Sequence, residues 1–254
     1  EPPLLYGQSD RVTGTNWNRV DADTNQLMLA AWGNDLDKAL AGMQGYVDKA
    51  PFNVHLRADL AGLHYLRGWP RSSLSLYKEV EMQQPGLYSV KSGFINAWWD
   101  LYDFVPAENM THSLVRDYPE LKATETHAED LAIHNMQELN VTVGLGRSDD
   151  DYQGSRDLEA EVWWYSRPLD YSNRLFMHTT SKTGEFDEGN GQIDRYGIGW
   201  EQRVRYHDYT FRNTVEINSG YASEADTGVA LTSDWGIDDH WSVQGAYESF
   251  SSHL

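Results

Sequence analysis

Six carboxylates, Glu159, Glu161, Glu201, Glu216, Asp234 and Glu248, fall on the polar side of segments in which apolar and polar residues alternate. In an extended chain that spacing puts such acids on one face of a sheet. Carboxylates lining a confined pore lumen lower the cost of moving cationic groups through it, as acidic rings do in cation channels. Ordinary solubility charge on a wet face gives the same pattern. Arg203, Arg205 and Arg212 share that face and could pair with some of the acids, so the face reads as mixed rather than uniformly negative. A second set is aromatic: Trp32, Tyr65 and Trp99, with Asn96 and Asp100 beside the last. Flat aromatic faces suit the apolar side of a pyranose ring, and their quadrupoles favour an ammonium group. Asn96, one helical turn before Asp100, could add a hydrogen bond. The alternative is that these rings pack between helices, a reading to which Trp98 belongs.

Other constellations are weaker. Glu159 and Glu161, neighbours on one strand face, stand about 7 Å apart, which neither establishes nor excludes glycosidase chemistry. No Gly-rich phosphate loop or nucleophile elbow occurs, so the expectation is a protein that is not an enzyme and has no cofactor. His127, Asp130 and His134 share a helical face and could hold a metal, but a solvated face is the expected reading, and no metal site is assigned. The net charge of −19 divides into about −7 before residue 137 and −12 after it. Such a chain does not neutralise nucleic-acid phosphates, and it attracts cationic polymers.

The elements that position these residues are of two kinds. Pro51, Pro85 and Pro119 stand 34 residues apart, as do the small residues Ala39, Ser73 and Ala107. Bulky groups follow the same spacing: Leu36, Pro70 and Phe104, then Met43 and Tyr77, with Thr111 a weak third member. This period predicts tetratricopeptide repeats, helix pairs that stack because no single pair buries its own apolar face. Helices are predicted at 20–32, 36–49, 54–67, 71–83, 88–102 and 106–117, with a further one near 120–136. At the inward-facing positions of the first helix of each repeat stand Trp32, Tyr65 and Trp99 with Asp100, which makes a concave groove the expected binding surface.

From Leu139 the period becomes two: Leu139, Val141, Val143 and Leu145 alternate with Asn140, Thr142 and Gly144. The pattern returns around 158–164, 196–206, 211–217, 229–234 and 241–248, and a less regular strand near 174–182 makes seven. Connections near 166–173, 207–208 and 236–240 are short, whereas 147–157, 183–194 and 218–227 are predicted as longer acidic loops. That asymmetry, with Trp164, Tyr206, Tyr209, Trp235 and Trp241 near strand ends, matches an outer-membrane barrel and its aromatic girdle. A soluble sandwich would also alternate. No run of ~18 apolar residues is present, so no transmembrane helix is predicted. There are no cysteines. Seven strands do not close a barrel, so the expectation is a fragment of something longer.

The fold class expected is α + β multidomain: a tetratricopeptide α-solenoid over residues 1–136, then part of an antiparallel outer-membrane β-barrel over 137–254. In this combination the chain resembles the poly-β-1,6-N-acetyl-D-glucosamine export porin family (PgaA/HmsH type). The likeness is carried by Arg67-Gly68-Trp69-Pro70-Arg71, by the junction helix from Ala128 to Asn135, by Ser166-Arg167-Pro168-Leu169, by Trp200-Glu201 and by Asp239-His240-Trp241. It implies a periplasmic superhelix leading to a barrel of which this chain holds fewer than half of the strands. It further implies export of partly de-N-acetylated polysaccharide during biofilm formation, with the repeats guiding the polymer and docking a periplasmic deacetylase. The other partner would be outer-membrane lipid, with no nucleic acid. Alternatives are a porin for an uncharged polysaccharide such as cellulose, and a soluble repeat adaptor with a β-sandwich.

Overall fold

The computed structural model describes residues 17–146, 157–186, 189–221 and 225–249. Seven helices come first: α1 (Trp17–Trp32), α2 (Leu36–Lys49), α3 (Val54–Leu66), α4 (Pro70–Gln83), α5 (Tyr88–Asp100), α6 (Phe104–Asp117) and α7 (Lys122–His134). Seven strands follow: β1 (Glu138–Gly146), β2 (Asp157–Tyr165), β3 (Asn173–Phe186), β4 (Gly189–Tyr206), β5 (Tyr209–Tyr221), β6 (Ala225–Gly236) and β7 (Ser242–Glu248). Residues 1–97 and 98–254 form two compact units.

In the first unit the 34-residue spacing has a structural counterpart. Ala39 and Ser73 are wholly buried, and so is Met43. Tyr77 is 5% exposed, and burial pushes its hydroxyl up to about 12. Around Met43 gather Leu56, Leu60, Leu63 and Val47, an apolar core of ordinary type. Asn53 caps α3 by accepting from the His55 and Leu56 amides, and Pro70 opens α4, where a missing N–H costs nothing.

The helix ends repeat as well. Asn34, Gly68 and Tyr102 all have positive φ, at 67°, 82° and 61°. Each closes the first helix of a pair through a six-to-one backbone bond, from Asp35 to Ala30, Trp69 to His64 and Asp103 to Trp98. Only Gly68 adopts that conformation without a steric penalty. Tyr102 is the costly member, and its ring stacks on Phe104 at 6.0 Å between centroids.

In the second unit Ala107 and Thr111 are wholly buried on α6, and Phe104 is 5% exposed. The strands make one antiparallel sheet in the order β1 to β7, each paired only with its chain neighbours. Seven helices followed by such a meander agree with part of an up-and-down barrel. Two of the expected long loops are corrected. The β3–β4 ladder runs on to Phe186 opposite Gly189, and β5–β6 to Tyr221 opposite Ala225, so 183–194 and 218–227 are mostly strand. Polar and Gly-rich residues broke the alternation there, yet backbone pairing does not depend on side-chain polarity. The segment 147–156 lies outside the described residues. At ~3.3 Å per residue β4 is ~60 Å long, well beyond what one tilted bilayer crossing needs.

The sheet has one apolar and one polar face. Leu139, Val141, Val143, Met177, Ile198, Ile217, Val243 and Tyr247 lie on the first, each more than half exposed. Trp164, Tyr206, Tyr209, Trp235 and Trp241 collect at the rim of the short connections, where Tyr209 and Trp235 meet edge-on at 5.8 Å. Trp241 itself precedes β7 rather than belonging to it. Ser166 ties the 166–172 connection, its hydroxyl accepting from the Leu175 amide and donating to the Arg167 carbonyl.

Candidate site on the polar face of the sheet

All six acids singled out in the sequence lie on the polar face. Register places Glu159 opposite Lys182, Glu161 opposite Thr180, Glu201 opposite Arg174 and Thr214, Glu216 opposite Gly199 and Ala230, Asp234 opposite Arg212 and Gln244, and Glu248 opposite Ala230. What the alternation did not reveal is how many cations join them. Arg174, His178 and Lys182 come from β3, whose irregular pattern hid its polar side, and Arg195 falls between the loop expected at 183–194 and the strand expected from 196.

The result is a paired wall. Glu201 is 1% exposed and holds two arginines, Arg212 by Nε and Nη2 at 2.9 and 2.8 Å and Arg203 at 3.0 Å. The Arg203 contact is Coulombic rather than hydrogen-bonded, because Glu201 Oε1 and Arg203 Nε are near but misaligned. Arg203 and Arg212 face each other directly across β4 and β5, an arrangement that repels. Glu201 compensates both. Glu216 lies 3.6 Å from His178 Nδ1 and 3.9 Å from Arg195, which also reaches Glu248 at 2.5 Å. Gly197 makes room for Glu216, since a Cβ there would overlap its carboxylate. Lys182 takes Glu159 at 2.9 Å, and Arg174 takes Glu138 at 3.4 Å.

Glu161 differs. Its Oε1 accepts from the Trp163 indole at 2.9 Å and lies 3.1 Å from His178 Nε2. Among the described residues neither Glu161 nor Asp234 pairs with a lysine or arginine. The Trp163 and His178 rings stack at 3.7 Å, 11° from parallel. Beside them lies a cavity of about 180 Å³ lined by Glu159, Glu161, His178, Thr180, Lys182, Ile193 and Arg195.

Charge on this wall is close to balanced, because Arg174, Lys182, Arg195, Arg203, Arg205 and Arg212 share it with the acids. Much of the negative charge of the β half lies off this wall, in the connections, at positions such as Asp170, Asp208, Asp238 and Asp239.

The aromatic set is distributed over both units. Trp32, 70% exposed at the end of α1, and Tyr65 and Asn96, both half-buried, belong to the first. Trp99 and exposed Asp100 belong to the second, where the Trp99 ring sits 5.4 Å from Phe104 and 4.7 Å from His134. The solvated face expected of α7 is corrected: His127 is 6% exposed, and His134 stacks on Phe104 at 4.8 Å. Burial lowers the His127 pKa. Burial, then the nearby Arg174 charge, takes His134 to about 4. Among the described residues no group of His, Asp and Glu converges as a metal site.

Sequence reasoning also missed a junction between the α6–α7 pair and the sheet. Arg205, near the end of β4, reaches Asp103 at 2.5 Å. Arg174, 7% exposed, donates to the His134 carbonyl at 2.5 Å. The only signal available was charge on residues just inside strand and helix ends.

A seven-stranded antiparallel meander with one apolar and one ionic face agrees with a segment of a membrane β-barrel. Residues 133–254 match the family described as the PgaA membrane beta barrel domain, as the resemblance read from the sequence implied. Two curated relatives, the poly-beta-1,6-N-acetyl-D-glucosamine export proteins of Escherichia coli K12 and O157:H7, are each 25% identical over 261 aligned residues. The alignment covers 100% of this chain and 31% of each relative. No solved structure matches the chain.

Proposed function

We propose that this chain is part of an outer-membrane porin that exports partly de-N-acetylated poly-β-1,6-N-acetyl-D-glucosamine during biofilm formation. The observation that carries the reading is the match of 133–254 to a membrane barrel domain, in a sheet with one exposed apolar face and one ionic face. In this reading residues 1–136 are the last tetratricopeptide repeats and 137–254 the first barrel strands. The repeats lie in the periplasm, where they guide the polymer and dock the deacetylase that prepares it. Trp32, Tyr65 and Asn96 of the first unit, and Trp99 and Asp100 of the second, are the positions that contact the sugar chain. The passage needs no catalysis and no cofactor.

The near-balanced wall favours a second reading, a porin for an uncharged glycan. A lumen whose carboxylates are mostly engaged by arginine and lysine attracts a polycation less than a bare acidic one. Export by cells carrying the full-length protein separates the two. Surface polymer that rises with the protein, and that stops when the periplasmic deacetylase is removed, supports the cationic cargo. Export that ignores deacetylation supports the uncharged one.

A further inference from the structure

Of the six acids on the ionic face four are already engaged: Glu159 by Lys182, Glu201 by Arg203 and Arg212, Glu216 by His178 and Arg195, and Glu248 by Arg195. A carboxylate held by a fixed guanidinium or ammonium has little attraction left for a passing cation. Glu161 is the exception that also opens on a cavity. Its partners are an indole N–H and an imidazole nitrogen, and its side chain is 34% exposed.

The cavity has the size and donors of a sugar subsite. Its volume of about 180 Å³ equals that of several waters, enough for one hexose ring. Thr180 supplies a hydroxyl, already 2.8 Å from His178 Nε2. Arg195, which lines the same cavity with a side chain 9% exposed, has an Nε with no partner. A buried guanidinium N–H left unmade is costly unless something completes it. The stacked rings of Trp163 and His178 both hold Glu161 Oε1, through the indole N–H and the imidazole Nε2.

We infer that this cavity is a subsite for a single amino-sugar unit, in which Glu161 takes the ammonium and Thr180 and Arg195 take ring hydroxyls. The inference rests on the export reading above and narrows it: amine recognition in this part of the wall belongs to one carboxylate rather than to a diffuse negative lumen. A neutral N-acetylated unit makes the hydroxyl contacts and forgoes the ionic one. Preference for the deacetylated unit is therefore local and moderate.

The test uses the full-length porin in detergent, titrated with a fully deacetylated glucosamine oligomer and with its fully N-acetylated counterpart. Glu161→Gln is expected to weaken the deacetylated oligomer about tenfold or more, the scale of one charge-assisted hydrogen bond, and to leave the N-acetylated one unchanged. Glu161→Asp retains most of the preference, because the charge remains. Equal binding of the deacetylated oligomer by the native protein and a folded Glu161→Gln variant overturns the subsite while leaving the porin reading standing. Failure of the native protein to bind either oligomer counts against the porin reading itself and removes the subsite with it. Should Glu161→Gln not fold, Thr180→Val carries the test: weaker binding of both oligomers supports the subsite, and unchanged binding of both overturns it.

Discussion

The helical unit and the sheet bury opposite chemistries. Around Met43 the first unit hides Leu56, Leu60 and Leu63, and its charges face water. The sheet hides Glu201, Glu216, Arg174 and Asn218 while Ile198, Ile217 and Val141 stand exposed. The same rule produces both patterns, since apolar groups leave water and buried charges need partners. Only the solvent on the outside differs. A helix pair with water around it turns its stripe inward, and a strand with lipid around it turns its apolar row outward.

That inversion predicts where each half breaks. The largest effect is expected at Glu201→Gln, which leaves Arg203 and Arg212 facing each other with no carboxylate between them. It should cost about 3–5 kcal/mol of barrel stability, seen as lost heat-resistant mobility in gels. Simultaneous glutamine replacement of the inward acids would accordingly compromise assembly before it reported on transport. Next is Ile198→Arg on the apolar face, expected to cost about 2–4 kcal/mol near the bilayer midplane in a lipid refolding assay. The same change at an exposed helical position such as Met82 should cost almost nothing.

A third expectation concerns the junction of α7 with the sheet. His134 is neutral in the fold, with a pKa lowered to about 4 by burial and by Arg174. Because the folded pKa lies below the unfolded one, its contribution is complete above the unfolded value of ~6.5 and is lost as pH falls from there toward 4. The loss, discounted for partial exposure, is about 1–2 kcal/mol. His127, also lowered by burial, acts in the same direction. Thermal melts of the native protein and of His134→Phe should diverge over that window and run parallel above it. The smallest effect is Gly68→Ala, where a Cβ in the left-handed region costs about 1 kcal/mol of helix stability by thermal or denaturant melting.

The legible parts of the molecule were those governed by period. Prolines at a 34-residue spacing and apolar residues at a two-residue spacing placed seven helices and seven strands, and put all six acids on one face. Two kinds of feature were hidden. Strand ends made of Gly, Asn, Asp and Thr looked like loops, because the ladder there is a backbone property. Pairing was hidden too: Arg174, His178, Lys182 and Arg195 meet the acids only through register across neighbouring strands, which alternation along one strand does not contain. The recurrence of Asn34, Gly68 and Tyr102 escaped because three unlike residues share one conformation.

The central claim, that the apolar face meets lipid and the ionic face lines an interior, can be tested by accessibility. These 254 residues contain no cysteine, so within them a single introduced thiol is unique. Ile198→Cys and Thr232→Cys lie on opposite faces of neighbouring parts of the same sheet. In the full-length protein reconstituted in bilayers, a label at 198 should be quenched by a lipid-dissolved agent and shielded from a water-soluble one, with the reverse at 232. Water-soluble quenching at 198 equal to that at 232 would contradict the account and return the sheet to a soluble sandwich.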